Sequence, residues 1–343
     1  MKRFLPLLVL VAAACGSGGG TASPSPSSGA SSAPSSAPSP AVLACRLPLD
    51  AGGAPTLGPS GGGTLGLGGF VTMPSGSFAL DGQSSGAYEH QQSRWLPTQY
   101  LDISPDGSRY AYADLPPSSG GGPPPTGVVH IVDISAGTDH IARTPGPIAL
   151  LGWHAGGIYV ESIVPQSDAP ASGLTVINPD TLAFRQITST GTWQLVGDNF
   201  AYSVDLDPAD PHPPVQNGPG PRVGNRVEKM DLTTAAVTPL VTINGASVTL
   251  LGLDAPAQNP WIAANNSTGY SVMVTPYHAT AFTGPDFSTP SWQADPITAL
   301  ADSTGIWFAS VNGTIWHYGP ADTALRLVAA TGLQGPGLAG PCT

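Results

Sequence analysis

Residues 128–144 read Val-Val-His-Ile-Val-Asp-Ile-Ser-Ala-Gly-Thr-Asp-His-Ile-Ala-Arg-Thr. The β-branched run predicts a strand, residues 135–138 predict a tight polar turn, and the remainder predicts a second strand. Related phrases return at residues 174–187, 227–240 and 315–328, with a fainter copy at 270–282. Their turns recur at intervals of about 43 to 54 residues. A hairpin that returns at this distance predicts a fold built from repeated small sheets.

Repeated hairpins with this spacing are typical of a β-propeller, whose blades are four-stranded antiparallel sheets. We therefore predict an all-β propeller of six blades, with seven as the alternative. Five blades are expected to begin near Tyr100, Ile148, Trp193, Val248 and Ile297. The sixth would combine the strand at Cys45, the hairpin at Phe70 and the tail 332–342. The proline-rich stretches 115–125 and 207–224 are predicted loops, since proline cannot donate to a central strand.

A second informative stretch, residues 100–114, reads Tyr-Leu-Asp-Ile-Ser-Pro-Asp-Gly-Ser-Arg-Tyr-Ala-Tyr-Ala-Asp. Pro105 presets the first corner of a turn, Asp106 can accept backbone hydrogen bonds, and Gly107 tolerates a positive φ. Residues 110–113 then predict an inner strand. The stretch resembles the Ser-Pro-Asp-Gly repeat of TolB-type and WD-repeat-like propellers, with weaker echoes at 150–160, 195–202 and 300–309. This resemblance implies the propeller fold and no particular activity.

The N-terminal segment predicts export. A basic start at Lys2 and Arg3, a short apolar run and the small residues 12–14 indicate a signal peptide over residues 1–14. With Cys15 directly following, it resembles the lipobox of bacterial lipoproteins, which implies a lipid on Cys15. The alternative is an ordinary signal peptide and a chance cysteine. We expect anchoring to the cell membrane, on its extracytoplasmic face.

Residues 15–44 contain Gly, Ser, Pro and Ala with almost no large apolar side chain. Such a segment cannot bury enough surface to fold, so it predicts a disordered linker. The globular domain is then 45–343. Its two cysteines, Cys45 and Cys342, lie at opposite ends. An exported protein permits a disulfide, and a closed propeller brings its ends into one blade, so we predict this bridge rather than two free thiols.

The amino-acid composition limits the classes of partner that we expect. Charged residues are 10% of the chain, the net charge is −11, and the lysines are Lys2 and Lys229. Nucleic acids and anionic membrane surfaces require clustered cations, so we expect no nucleic-acid partner. We also expect a monomer that needs no cofactor or metal.

Several motifs were weighed as sites. Gly82-Gln-Ser-Ser-Gly86 fits the serine-hydrolase pattern but precedes no helical stretch, so a polar loop is favoured. Asp205, Asp207, Asp210 and His212 are more consistent with a solvated acidic loop than with a cation site.

The histidines lack metal-ligand spacing, and they are His90, His130, His140, His154, His212, His278 and His317. The tryptophans at strand positions are expected in the core; they are Trp153, Trp193, Trp261, Trp292, Trp307 and Trp316. Asn265 and Asn312 match a glycosylation pattern that has no meaning in a bacterial lipoprotein.

The chain thus predicts a membrane-anchored propeller that binds another protein or an envelope ligand, without a catalytic set. The alternative is a propeller enzyme, lactonase-like or lyase-like, with its site at the central channel. An enzyme would bring carboxylates and histidines from different blades together at the ring centre. A binding module would present an apolar patch there.

Overall fold

The computed structural model describes residues 42–51, 67–84, 86–114, 126–162, 173–210, 224–254, 258–266, 272–276, 296–310, 312–319, 322 and 325–343. All of these residues lie in one compact unit, Pro40–Thr343. The predicted signal peptide, Cys15 and most of the predicted linker lie outside the described residues. Among the described residues, no helix has the length and apolar character required to cross a membrane.

Secondary structure in the described residues is strand, apart from a short 3-10 helix at Tyr100–Asp102. The strands are β1 (Arg46–Asp50), β2 (Leu67–Thr72), β3 (Ser77–Ser84), β4 (Ala87–Glu89), β5 (Arg94–Leu96), β6 (Arg109–Ala113), β7 (Val128–Asp133), β8 (Asp139–Arg143), β9 (Ile148–His154), β10 (Gly157–Ser162), β11 (Leu174–Ile177), β12 (Phe184–Thr188), β13 (Leu195–Val196), β14 (Phe200–Asp205), β15 (Arg226–Asp231), β16 (Val237–Thr242), β17 (Ala246–Leu253), β18 (Pro260–Asn266), β19 (Val272–Pro276), β20 (Pro296–Asp302), β21 (Gly305–Ser310), β22 (Thr314–Tyr318), β23 (Arg326–Ala330) and β24 (Gly337–Leu338).

These strands form the small antiparallel sheets of a β-propeller, which confirms the predicted fold class. Five blades consist of strands consecutive in the chain: β6-β7-β8, β9-β10-β11-β12, β13-β14-β15-β16, β17-β18-β19 and β20-β21-β22-β23. A further sheet, β24-β1-β2-β3, joins the two ends of the domain, and β4 pairs with β5 in a separate hairpin.

The predicted count of six blades, or seven, is corrected to five. The composite element expected as the sixth blade is present as the sheet that joins the chain ends. The prediction that every blade has four strands also fails among the described residues. In the blade of β6, the 3-10 helix occupies the innermost position, and only Ile103 makes a bridge to Tyr110.

The hairpins that recur in the sequence are confirmed as the outer halves of blades. They are β7-β8, β11-β12, β15-β16 and β22-β23. In three of them, the turn begins with Asp133, Asn178 or Asp231, whose carbonyl oxygen accepts a hydrogen bond from the N–H four residues later. Asn178 and Asp231 also accept backbone N–H groups with their side chains. These local bonds explain why the same polar residue starts the turn.

Hydrophobic clusters lie between neighbouring blades. One joins Val129 and Ile131 of β7 to Trp153 of β9 and Ile158 of β10. Equivalent clusters join the blade of β9 to that of β13, the blade of β13 to that of β17, and the blade of β17 to that of β20. The outermost strands β12 and β16 are largely exposed. Each blade therefore buries both of its faces against neighbours, which holds the ring together.

The first strand of each sheet contacts the next around the centre of the ring. Contacts run from the 3-10 helix to β9, to β13, to β17, to β20 and to β24. The circuit closes because β4 contacts the 3-10 helix and the N–H of Tyr88 donates to the carbonyl oxygen of Ala339, directly after β24. We call this circuit of elements the inner ring.

A Leu-Leu-Gly sequence recurs in the inner ring at residues 150–152 and 250–252. In both strands the second leucine is a β-bulge, because Leu150 and Gly152 pair with adjacent residues of β10, and Leu250 and Gly252 pair with adjacent residues of β18. A Cβ at Gly252 would lie 3.4 Å from the Cβ of Ala301 in β20. That distance is ordinary van der Waals contact, so the conformation of the bulge is what favours glycine: Gly152 has φ 137°, which other residues rarely adopt.

Candidate functional site at the ring centre

The candidate site is the junction between the 3-10 helix, which carries Leu101 and Asp102, and β9, which carries His154. Gly152 of β9 has φ 137° and lies against the helix. A Cβ there would be 3.2 Å from the Leu101 carbonyl oxygen and 3.2 Å from His154 Nε2. The imidazole and the helix therefore lie on the same side of Gly152, although the residues are about 50 positions apart in the sequence.

Leu101 supplies an apolar contact surface. Its side chain is 44% exposed, whereas Asp102 and Ile103 directly after it are buried. Half-buried leucines occupy the other first strands of the inner ring; they are Leu150, Leu151, Leu195, Leu250, Leu251 and Leu338. These side chains contact the core clusters while keeping part of their surface open.

Asp102 is a buried acid without a neutralising partner. It is 6% exposed, and its carboxyl makes no hydrogen bond or ion pair within the described part of the chain. Removal from water disfavours the charged form, so burial raises the pKa of Asp102 to about 7. The carboxyl can therefore hold and release a proton near neutral pH.

His154 contributes the second polar group. Its Nε2 is buried and unpaired among the described residues, and its Nδ1 lies 3.9 Å from Asp198 Oδ1. Burial lowers the pKa of His154, and the nearby Asp198 carboxylate opposes this only in part. The imidazole is thus neutral at pH 7, and Nε2 can either donate or accept a hydrogen bond.

Asp198 also forms hydrogen bonds that connect its own blade to the blades on either side. Its carboxylate accepts a hydrogen bond from Gln258 Nε2 (2.6 Å) and from the N–H of Ala155 (3.3 Å). Gln258 Oε1 in turn accepts the N–H of Asp198 at 2.6 Å. The turns of three successive blades are thereby connected beside His154. This network holds the imidazole side of the junction in place.

Glu161, on β10, is a second buried carboxyl. Its Oε1 accepts the N–H of Trp193 at 2.9 Å. Burial raises the pKa of Glu161 to about 7, although this hydrogen bond acts in the opposite direction. Because Trp193 precedes the first strand of the next blade, Glu161 has a structural role between blades that the sequence did not indicate.

The residues weighed from the sequence have other roles. Asp205 and Asp207 lie 3.7 and 3.8 Å from Arg226, and Asp210 accepts hydrogen bonds from Asn225 and Gly245. His212 lies outside the described residues. No group of three His, Cys, Asp or Glu side chains within the described ranges is placed to hold a metal ion. Gly82 belongs to β3, and no α-helix follows it among the described residues.

The remaining described histidines bind neighbouring residues. His90 contacts Thr343 Oγ1 at 2.7 Å, and His130 lies between Asp139 and Asp114. His140 lies 3.6 Å from Asp133, and buried His317 contacts Thr304. His278 lies outside the described residues. Of the tryptophans, Trp153, Trp193, Trp261 and Trp307 are buried, as predicted, and Trp292 lies outside the described residues.

Cys45 and Cys342 form a disulfide with a Cα–Cα distance of 5.5 Å. The bridge joins the start of β1 to the end of the chain beside β24. Cys342 is also held by its N–H, which donates to Asp302 Oδ2 at 3.1 Å. Asp302 Oδ2 accepts Trp307 Nε1 as well, at 2.7 Å. This carboxylate therefore fixes the C-terminal tail against the last blade.

Comparison with known proteins identifies no family for this chain. No protein-family model matches the chain, and no curated protein matches it. Among solved structures, a periplasmic gluconolactonase of Pseudomonas aeruginosa is similar, with a TM-score of 0.43 and 11% identity over 85% of this chain and 97% of the other. A protein from Lactobacillus plantarum has a TM-score of 0.41 and 13% identity over 86% and 98% of the two chains. The chain is a β-propeller.

Proposed function

We propose that this chain is an extracytoplasmic binding module, anchored by a lipid on Cys15, which contacts a partner protein or envelope ligand through the centre of its propeller. The supporting observation is Leu101, which is 44% exposed on the inner ring, whose other first strands also carry half-buried leucines. Burial of one leucine contributes about 1.5–3 kcal/mol, and interface energy concentrates on a few central anchors. Leu101 fits the role of such an anchor.

Affinity capture tests this proposal. The tagged full chain, wild type or Leu101→Asn, is used to capture partners from membranes of its own source. Leu327→Asn is the matched control, because Leu327 is 53% exposed on the outermost strand β23. We expect Leu101→Asn to lose a partner that wild type and Leu327→Asn retain. Equal capture by all three chains would exclude the ring centre.

Anchoring has its own test, because it depends on Cys15 and not on the ring. Cys15→Ser should release the protein from membranes or block its maturation, and labelled fatty acid should appear only on chains that keep Cys15. Ser17→Ala serves as a control next to the same site. A wild-type chain that takes no label and partitions into the aqueous phase would contradict lipid anchoring.

The second candidate function is catalysis at the same junction. The observation that favours it is the buried Asp102 carboxyl, whose pKa burial raises to about 7. Such a group can exchange a proton with a substrate at neutral pH. Wild type and Asp102→Asn are incubated with sugar lactones and with uronate oligosaccharides. Turnover that Asp102→Asn abolishes would support an enzyme, and binding without turnover would support the module.

A further inference from the structure

Strand β3 is an open edge of the sheet that joins the two ends of the domain. Its eight residues, Ser77–Ser84, pair with β2 on one side, and no strand in the described ranges pairs with its other side. Leu80, in the middle of this strand, is 56% exposed although its side chain is large and apolar. An unpaired edge presents backbone N–H and C=O groups to which another strand can bind.

Most of the other outermost strands carry residues that prevent such pairing. β8 contains Asp139 and Arg143, and β12 contains Arg185. β16 and β19 contain Pro239 and Pro276, respectively. Charged side chains and prolines on an edge strand disfavour pairing with another chain. These edges are therefore protected in a way that β3 is not.

The outermost strand β23 is protected by its first residue, Arg326, and by a neighbouring turn. The turn between β2 and β3 lies against it, because a Cβ at Gly76 would be 2.7 Å from the carbonyl oxygen of Val328. In β3, by contrast, the first four residues are uncharged, and the one charged residue is Asp81. Its carboxylate is directed to the β4-β5 hairpin, where Oδ2 accepts a hydrogen bond from Trp95 Nε1 at 2.9 Å.

The sequence of β3 is complementary to itself when two copies run antiparallel. If the strands pair about Ala79, then Phe78 of one copy lies opposite Leu80 of the other, and Ser77 lies opposite Asp81. Phe78 and Leu80 project from the same face of the sheet, since side chains two residues apart do so. Apolar side chains opposite each other on one face stabilise a strand pair, and this register also keeps the two Asp81 carboxylates from facing each other.

We propose that β3 is the contact surface between two copies of this chain, which pair edge to edge and antiparallel about Ala79. The same strand serves both copies, so the contact closes at two copies and does not extend into a fibre. A pair of copies is an alternative to the monomer expected from the sequence. The contact lies on the outermost strand of its sheet, so it is independent of the binding function proposed for the ring centre.

Oxidative crosslinking of the full chain in cells of its own source tests the register. Ala79→Cys places the two new thiols opposite each other, so we expect a disulfide-linked dimer on a non-reducing gel. Wild type controls for Cys15, and Ser135→Cys controls for chance collisions, because Ser135 is exposed in the turn between β7 and β8. No dimer from Ala79→Cys, or as much dimer from Ser135→Cys, would overturn the inference.

Sedimentation velocity of the purified full chain tests the edge itself. Leu80→Lys removes an apolar contact and puts a charge on the edge, so we expect the dissociation constant of the dimer to rise by about tenfold or more. Leu327→Lys makes the same change on β23 and should leave that constant unchanged. A monomeric wild type, or equal effects of the two variants, would contradict the proposal. Circular dichroism checks that both variants are folded.

Discussion

Ala235 adopts a left-handed backbone conformation, with φ 57°, in the turn between β15 and β16. Gly137 occupies the same turn position between β7 and β8, with φ 67°, and Leu182 does so between β11 and β12, with φ 59°. A side chain at Cβ makes this conformation costly by roughly 1–2 kcal/mol. The repeated turn is thus strained wherever its fifth residue is not glycine.

We predict that Ala235→Gly stabilises the protein by about 0.5–1 kcal/mol, because relief of the backbone strain outweighs the loss of one half-buried methyl group that packs against a core cluster. Ala236→Gly, one residue later, should destabilise it by a similar amount through added chain entropy. Urea unfolding of the two variants and the wild type measures both changes. A destabilised Ala235→Gly protein would show that the turn has another conformation.

Asp102 allows a prediction about pH. Folding raises its pKa from 3.8 to about 7, so the unfolded chain loses its proton first as the pH rises. The wild type therefore loses stability between about pH 4 and pH 7, relative to Asp102→Asn, and the difference stays constant above pH 7. We expect Asp102→Asn to be more stable at pH 8, by at most about 4 kcal/mol, and equally stable near pH 4. Denaturant unfolding across this range measures the difference, and a gap that does not change with pH would contradict the burial of an unpaired carboxyl.

The contrast between these residues shows what the sequence could predict. Turn positions occupied by Asp, Asn or Gly can be predicted from the sequence, because the conformational preferences and hydrogen bonds of these residues act within a few positions. Leu182 and Ala235 gave no such signal. Asp102 could not be identified either, since its burial depends on packing between the 3-10 helix and β9, which are distant in sequence.

At the scale of elements, the inner ring depends on tight connections between first and second strands. Gly305 begins β21 with φ 143°, and a Cβ there would overlap the carbonyl oxygen of Tyr318 in β22. Gly137 also has a positive φ, but a Cβ at that position would meet no atom within 4 Å. Alanine substitutions at these two glycines therefore distinguish the cost of backbone strain from the added cost of a steric overlap between strands.

We predict that Gly137→Ala costs about 1 kcal/mol, the penalty of a left-handed residue with open space around it. Gly305→Ala should cost at least about 2 kcal/mol more, because the strand pair must separate to admit the methyl group. Thermal and urea unfolding of the two variants compares them directly. Equal losses would mean that β21 and β22 are not as close as described.

The elements also explain where the propeller prediction failed. Residues 100–103 read as the start of a strand, yet Tyr100–Asp102 forms a 3-10 helix. Hydrophobic alternation could not reveal this, because the helix is held by its contacts with β4 and β9 rather than by its own sequence. The outer hairpins, in contrast, were predictable from local pattern and turn chemistry.

At the scale of the whole molecule, the disulfide and the sheet β24-β1-β2-β3 hold the two ends of the domain together. Backbone hydrogen bonds between Arg46 and Thr343 reinforce the connection. We predict that Cys342→Ser lowers the free energy of unfolding by about 2–5 kcal/mol without abolishing the fold, since the other blades keep their own contacts.

Denaturant unfolding of Cys342→Ser beside the wild type measures this loss. A thiol count on unfolded, unreduced wild type provides the control, because Cys45 and Cys342 should not react. Reaction of both would contradict the bridge. An unchanged unfolding midpoint in the variant would show that the bridge does not stabilise the ring.

The central claim is that a partner contacts the centre of the ring. Site-specific photo-crosslinking tests it most directly, with benzoylphenylalanine placed at position 101 or, as control, at position 327 of the full chain on its own membranes. Both native side chains are exposed leucines, but Leu101 lies on the inner ring and Leu327 on the outermost strand of its blade. We expect a discrete adduct from position 101 and none from position 327; an adduct from 327 alone, or none from 101, would exclude a partner contact at the ring centre.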